Sequence, residues 1–289
     1  EVKKMSTELA MQKDLGMSLA EAVGVTNSDG VERRTSNLAR LNLMHKGIMG
    51  EIEVDGKAMK TEVVSAGSYV LTQNDEEIFL SNPTVRIFAI RQQYKKWNSD
   101  EDFMMKSVMA TDLKGDLKDN MGTFNLGRPS GYIKDWDSVP EKTKEIIRNI
   151  KRKKIIFGIL TASEVVDDQG NKLDAITDPV AFFMEIAPSS IKRLDLAVNA
   201  LSRKNILPIQ HTLTFGAEPG GETYYVMTLD AKERVELDHA DQEILSNFLE
   251  YITNENAQIL DQWEEKNKDS VTEEEAALVA EFVHVEEED

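Results

Sequence analysis

The chain has 289 residues, no cysteine and a formal net charge of −18. That length suits one large or two modest domains with a full core. The absent thiols exclude disulfides, thiolate zinc sites, iron–sulfur clusters and cysteine nucleophiles, and they suit a reducing cytosol.

The charge is unevenly spread. Residues 230–289 hold twenty Asp or Glu against four Lys or Arg, a net of −16, so the body before them is close to neutral and free to carry basic surfaces. The ending, Glu286-Glu287-Glu288-Asp289, either regulates access to such a surface or only keeps the protein soluble. No apolar run approaches the ~20 residues that span a bilayer. The N-terminus lacks the basic-then-apolar pattern of a leader, and Met5-Ser6-Thr7 reads as the natural start. The expectation is a soluble, cytoplasmic protein.

Residues 6–36 carry one short helical pattern, Met11–Val23, then a break at Asn27-Ser28-Asp29-Gly30, which together read as an arm over 1–37. Strand patterns follow at Leu41–Leu43 and Gly50–Val54, with Asp55-Gly56 as a hairpin turn. Ala66–Val70 is a further extended piece. Val85–Trp97 is the strongest early strand, apolar on both faces and turning basic and aromatic at its far end. Residues 98–140 have little periodicity and read as a functional loop or several short strands. Gly122–Tyr132 is punctuated by glycine and carries aromatics.

Pro140 opens a helix over Glu141–Lys151, which runs into Arg152-Lys153-Lys154 and a buried strand, Ile155–Leu160. Asp167–Asn171 reads as a turn and Pro179–Ile186 as a strand. Ser189 or Ser190 caps a helix to Leu201. Gln210–Phe215 and Thr223–Leu229 flank a hairpin turn at Glu218–Gly221. Asp238 or Asp241 starts a long helix with Ile244, Phe248, Ile252, Ile259 and Trp263 along one stripe. Beyond Lys268 lies the acidic tail, 269–289.

Catalytic signatures are missing. There is no phosphate-binding glycine motif of either common type, and serines lie outside any nucleophile elbow. His45, His211, His239 and His284 are scattered, and His211 reads as a structural residue in a strand. Asp167-Asp168 and Asp112…Asp116…Asp119 could meet a divalent ion but do not match a calcium loop. The sequence therefore reads as a non-enzyme without cofactor or metal.

Two segments combine cations with flat rings. One holds Arg86, Arg91, Tyr94, Lys95, Lys96 and Trp97. The other holds Arg148, Lys151, Arg152, Lys153 and Lys154, with Tyr132 and Trp136 just upstream. Single-stranded nucleic acid needs this mixture: cations neutralise phosphates and release counterions, and rings stack on unpaired bases for ~1–3 kcal/mol each. The plainer reading is a solvated strand flank, with Phe88 and Phe157 as core.

In its balanced body, glutamate-rich ending and lack of catalytic motifs, the chain resembles phage-encoded single-stranded DNA-binding proteins of the T7 type. A looser likeness to phage proteins covers roughly 38–231. It runs through Arg40-Leu41-Asn42-Leu43, Ala66-Gly67-Ser68-Tyr69, Pro179–Met184, Ser189…Lys192 and Tyr224–Met227. Here the last aromatic, Phe282, is not terminal as in that type, and a long helix separates body from tail. The resemblance implies an α+β protein: an OB-like antiparallel β-barrel with inserted helices over 38–231, a helical segment over 232–268 and the acidic tail. It also implies single-stranded DNA as partner. The tail would fill the same groove when DNA is absent, and would recruit replication or recombination proteins when DNA displaces it. The sequence leaves room for a homo-oligomer. The alternative is a phage protein–protein interaction or virion-associated structural protein, with a metal-dependent nuclease third.

Overall fold

The computed structural model describes residues 38–54, 57–99, 101–129, 133 and 135–268. The expected N-terminal arm, the Asp55-Gly56 turn, Tyr132 and the acidic tail lie outside the described residues.

The described chain is α+β. Its first half holds β1 (Ala39–Leu43), β2 (Ile48–Val54), β3 (Lys57–Val64), β4 (Tyr69–Gln73), β5 (Glu76–Ser81), β6 (Thr84–Asn98) and β7 (Phe103–Lys106). The second half holds α1 (Glu141–Asn149), β8 (Lys151–Ala162), β9 (Glu164–Val166), β10 (Ile176–Ile186), α2 (Pro188–Ser202), β11 (His211–Pro219), β12 (Tyr225–Arg234) and α3 (His239–Lys268). Asn74 and Asp75, both left-handed (φ 51° and 65°), form the two-residue turn that joins β4 to β5 with Gln73 opposite Glu76. Two such residues match the right-handed twist of the strands they connect.

Ten strands make one sheet in the order β12–β11–β6–β8–β10–β1–β4–β5–β9, with β7 on the outer part of β6, while β2 and β3 form a separate hairpin. Every ladder in the sheet is antiparallel except β1 on β10, where Ala39 faces Phe182. β5 runs into β6 through Asn82-Pro83 and β8 into β9 through Ser163, so the β5–β9 ladder prolongs the β6–β8 ladder beyond a kink. The sheet therefore curls, and the Tyr69 hydroxyl of β4 donates across the curl to the Gly216 carbonyl of β11 (2.8 Å). Burial pushes the Tyr69 phenol far above its ordinary value, which keeps it a neutral donor. Among the described residues no ladder joins β9 to β12. The strand order mixes local hairpins with distant pairings, β11 with β6, β10 with β1 and β5 with β9, and no closed barrel forms among the described residues.

Each face of the sheet is covered by a helix. On the inner face Leu41, Tyr69, Ile87, Ile156, Phe182 and Phe215 form the main core, closed by Leu194 and Leu201 of α2. The Ser190 hydroxyl at the start of α2 accepts from the Met227 N–H (3.0 Å), which ties the helix to β12. On the outer face Phe88, Phe157 and Ile159 meet Phe248 and Ile252 of α3, with the Phe157 and Phe248 rings 6.0 Å apart.

Gly158 lets β8 lie close against β6 at the register shift between Ile87 and Ala89. A Cβ there would lie 2.3 Å from the Arg86 carbonyl oxygen, a backbone atom that no rotamer change can move. Gly158→Ala is expected to lower stability by about 2–3 kcal/mol in chemical denaturation, as other overpacked cores do. Gly115→Ala, which meets nothing within 4 Å, is the matched control and should stay within about 0.5 kcal/mol of the parent. Equal effects would remove the crowding account.

The described part of the aperiodic stretch 98–140 is ordered by side chains rather than by long ladders. The buried Asp119 carboxylate accepts the N–H groups of Met121, Thr123 and Leu126 and the Thr123 hydroxyl. Asn256 of α3 accepts the Met109 N–H (2.7 Å) and donates to the Met109 carbonyl (2.9 Å). Further along α3, the Trp263 indole donates to the Thr123 carbonyl (2.9 Å). Among the described residues no helix is long and apolar enough to cross a membrane.

Candidate nucleic-acid interface

Helix α1 ends at Asn149, and β8 begins at Lys151, so the Lys-Arg-Lys-Lys run occupies the opening of a strand. That strand pairs with the far half of β6. Gln92 faces Lys154, Gln93 faces Lys153, Tyr94 faces Arg152 and Lys95 faces Lys151. On its other side Lys95 faces Lys106 of β7, so Lys106, Lys95 and Lys151 form one row across three strands. Like charges directly opposite one another destabilise a sheet. Two basic segments more than fifty residues apart in sequence thus meet in one ladder.

Few carboxylates answer them. Lys95 and Lys153 both bind Glu185 of β10, Lys154 binds Asp195 of α2, and Lys106 binds Glu255 of α3. Burial pushes the Glu185 carboxyl up, but Lys95, by charge and hydrogen bond, and the charges of Lys153 and Arg40 outweigh it and hold the group below its ordinary value. Arg91, Lys96, Lys151 and Arg152 have no carboxylate at ion-pair distance among the described residues. Among the described residues the Arg91 guanidinium donates only to the carbonyl of its neighbour Ile90 (2.9 Å).

Alternation along the strands splits the cations between faces. Ile90 and Ile156 point into the main core, so Gln92 with Lys154 and Tyr94 with Arg152 continue on the inner face. There Gln92, Arg152 and Lys154 border an open cleft of about 470 Å³ whose other wall is α2, with Lys192, Ile191 and the exposed Leu196. Arg91, Gln93 and Lys95 lie on the outer face, beside α3. At the end of the ladder Trp97 is 53% exposed, opposite the exposed Met104. Trp136 is 39% exposed, and the Arg148 guanidinium sits 6.0 Å from its ring centre. Arg148 also pairs with Glu141 (2.8 Å), and Lys151 donates to the Arg148 carbonyl (3.1 Å).

Two expected contacts are corrected. Tyr94 is 1% exposed and packs with Leu126 and Ile150, so its ring cannot stack on a base. Arg86 binds the Asp241 carboxylate (2.8 Å) and the Ile209 carbonyl (3.0 and 3.2 Å), which commits it to holding α3. Tyr132, a third expected ring, lies outside the described residues. Sequence reasoning missed Lys106, Lys192 and Arg128, which ladder position, helix placement and a loop turn bring to the same end of the sheet. The aspartates considered for a metal serve locally: Asp112 and Asp167 accept backbone N–H groups of their own turns. Among the described residues no group of three or more Asp, Glu or His side chains is placed to hold a metal ion.

No protein-family model, curated protein or solved structure matches the chain.

Proposed function

We propose that this chain is a non-catalytic single-stranded DNA-binding protein of phage replication or recombination, acting in the host cytoplasm. Its contact surface is the shared end of β6 and β8. The observation that carries this reading is the β6–β8 ladder of Arg91, Lys95 and Lys151–Lys154 with Lys96 beside it, in which Lys95 faces Lys151 and, among the described residues, Arg91, Lys96, Lys151 and Arg152 have no carboxylate at ion-pair distance. A fold that accepts such repulsion gains when phosphates arrive. Trp97 and Trp136 are the exposed rings beside it, available to stack on bases without sequence preference. The curled sheet stands in for the OB-like barrel as the platform. The acidic tail competes for the same cations and, once displaced, recruits replication or recombination proteins.

The test is fluorescence anisotropy of labelled oligo-dT with the full chain and with a 1–269 truncation at two salt concentrations. Both are expected to bind, the truncation more tightly, with log affinity falling against log salt at a slope of about 0.7 per phosphate contacted. Equal affinities would remove the tail's role. If neither binds at low salt, the single-strand reading fails and a protein–protein role takes its place.

A further inference from the structure

The backbone that leads into Arg128 is strained. Asn125, Leu126 and Gly127 are consecutive left-handed residues, with φ of 54°, 58° and 85°. For Asn and Leu this costs about 1–2 kcal/mol each, and such strain persists only where surrounding bonds impose it. The bonds are present. Asp119 accepts the Leu126 N–H (2.7 Å), and Asn125 accepts the Leu117 N–H (3.0 Å). Strained residues held this way gather at functional sites.

The turn delivers Arg128 to the buried Tyr94. Its guanidinium carbon lies 5.8 Å from the Tyr94 ring centre. Its Nε is buried without a hydrogen-bond partner, the one such side-chain atom among the described residues. The partner of Tyr94 across the ladder is Arg152, whose side chain shares that face. Arg152 thus lies next to the Tyr94–Arg128 pair, close enough for its charge to act on Arg128, and neither arginine has a carboxylate at ion-pair distance among the described residues. Burial and then the charge of Arg152 push the Arg128 guanidinium below its ordinary value, outweighing the opposing charge and hydrogen bond of Tyr94. A half-buried Arg128 beside an exposed Arg152, both without a carboxylate among the described residues, favours an anion, and the planar fork of each fits a tetrahedral oxyanion with two bonds.

We propose that Arg128 and Arg152 clamp one phosphodiester of the bound strand, with Tyr94 as the fixed floor beneath them. The clamp rests on the single-strand reading for its ligand, but it adds a site residue from the 107–128 loop and a phosphate-specific role for Arg152. Lysine cannot supply the fork, so Arg152→Lys behaves nearly as Arg152→Gln does.

The experiment uses the full chain, R128Q, R152Q and R152K, with two probes. Oligo-dT anisotropy over a salt series is expected to show each variant binding about 5- to 10-fold more weakly, with the salt slope of R128Q and R152Q reduced by about 0.7, one phosphate's share. Inorganic pyrophosphate is expected to raise the melting temperature of the parent and not of the variants. If the parent binds oligo-dT and the variants keep its affinity and slope, the clamp is wrong and the single-strand reading stands. If the parent ignores oligo-dT yet pyrophosphate stabilises it through these arginines, an anion site remains and its occupancy by a DNA strand is overturned. No response to either probe overturns both. Should R128Q fail to fold, R152Q, altered at an exposed strand position, decides the outcome alone.

Discussion

Replacing Arg91, Lys96 and Arg152 together by glutamine is expected to weaken oligo-dT binding about 100-fold, at about 1 kcal/mol for each exposed charge contact. The salt slope should fall by about 2, three phosphates' share. None of the three loses a carboxylate partner on substitution among the described residues, so folding loses no ion pair. Removing positive charge from a ladder where lysine already faces lysine should hold or raise the melting temperature. Lys232 and Arg234, exposed on β12 at the other edge of the sheet, form the control. If K232Q/R234Q weakens binding as much as the triple variant does, the protein attracts DNA by diffuse charge and the β6–β8 surface has no special role.

The largest expected loss of stability lies at Arg86. Asp238 and Asp241 cap α3 reciprocally: the Asp241 N–H donates to the Asp238 carboxylate (2.9 Å), and the Asp238 N–H donates to that of Asp241 (3.3 Å). Arg86 reaches this cap from the middle of the sheet, with both side chains mostly buried. Arg86→Met leaves the Asp241 charge without its partner and is expected to cost about 3–5 kcal/mol in urea denaturation. The pH dependence gives a second readout. The Arg86 hydrogen bond, acting against burial, holds the Asp241 carboxyl below its ordinary range. Its contribution is therefore complete above the unfolded carboxylate value of about 3.9 and is lost as pH falls through the lowered folded value. Parent stability should fall in that acid window, and the R86M profile should be flatter there. Parallel profiles would show that the pair does not act through charge.

The local elements were largely legible and their pairing was not. The β-rich run expected over Val85–Trp97 is β6, and the hairpin at Glu218–Gly221 joins β11 to β12. The long helix runs from His239 to Lys268, within a residue or two of its cap signals. Asn74-Asp75 is the hairpin signal between β4 and β5; the extended piece expected over Ala66–Val70 meets only the start of β4, and β5 carried no expectation. Lys151 was expected to end the helix that opens at Glu141, but the helix stops at Asn149 and Lys151 already opens β8. Strand register is a long-range property that periodicity cannot supply, so nothing local announced that Lys151–Lys154 would lie beside Gln92–Lys95. For the same reason Tyr94 read as an exposed ring: its burial comes from Leu126 and Ile150, which fold over it from elsewhere in the chain. Arg86 read as a phosphate contact because its true partner, Asp241, lies 155 positions away.

The single parallel ladder has a consequence for how the chain reaches this state. β1 is one of the first described strands to leave a ribosome, yet its neighbour Phe182 lies in β10, after β4, β5, β6, β8 and β9 have all emerged. Until then β1 has one bare edge and the main core lacks a wall. Topologies dominated by such distant pairings close slowly, in milliseconds to seconds for small domains. A nascent chain that stops before Ile186 would hold an unpaired, half-apolar edge able to join another copy, so truncations inside β10 are expected to aggregate.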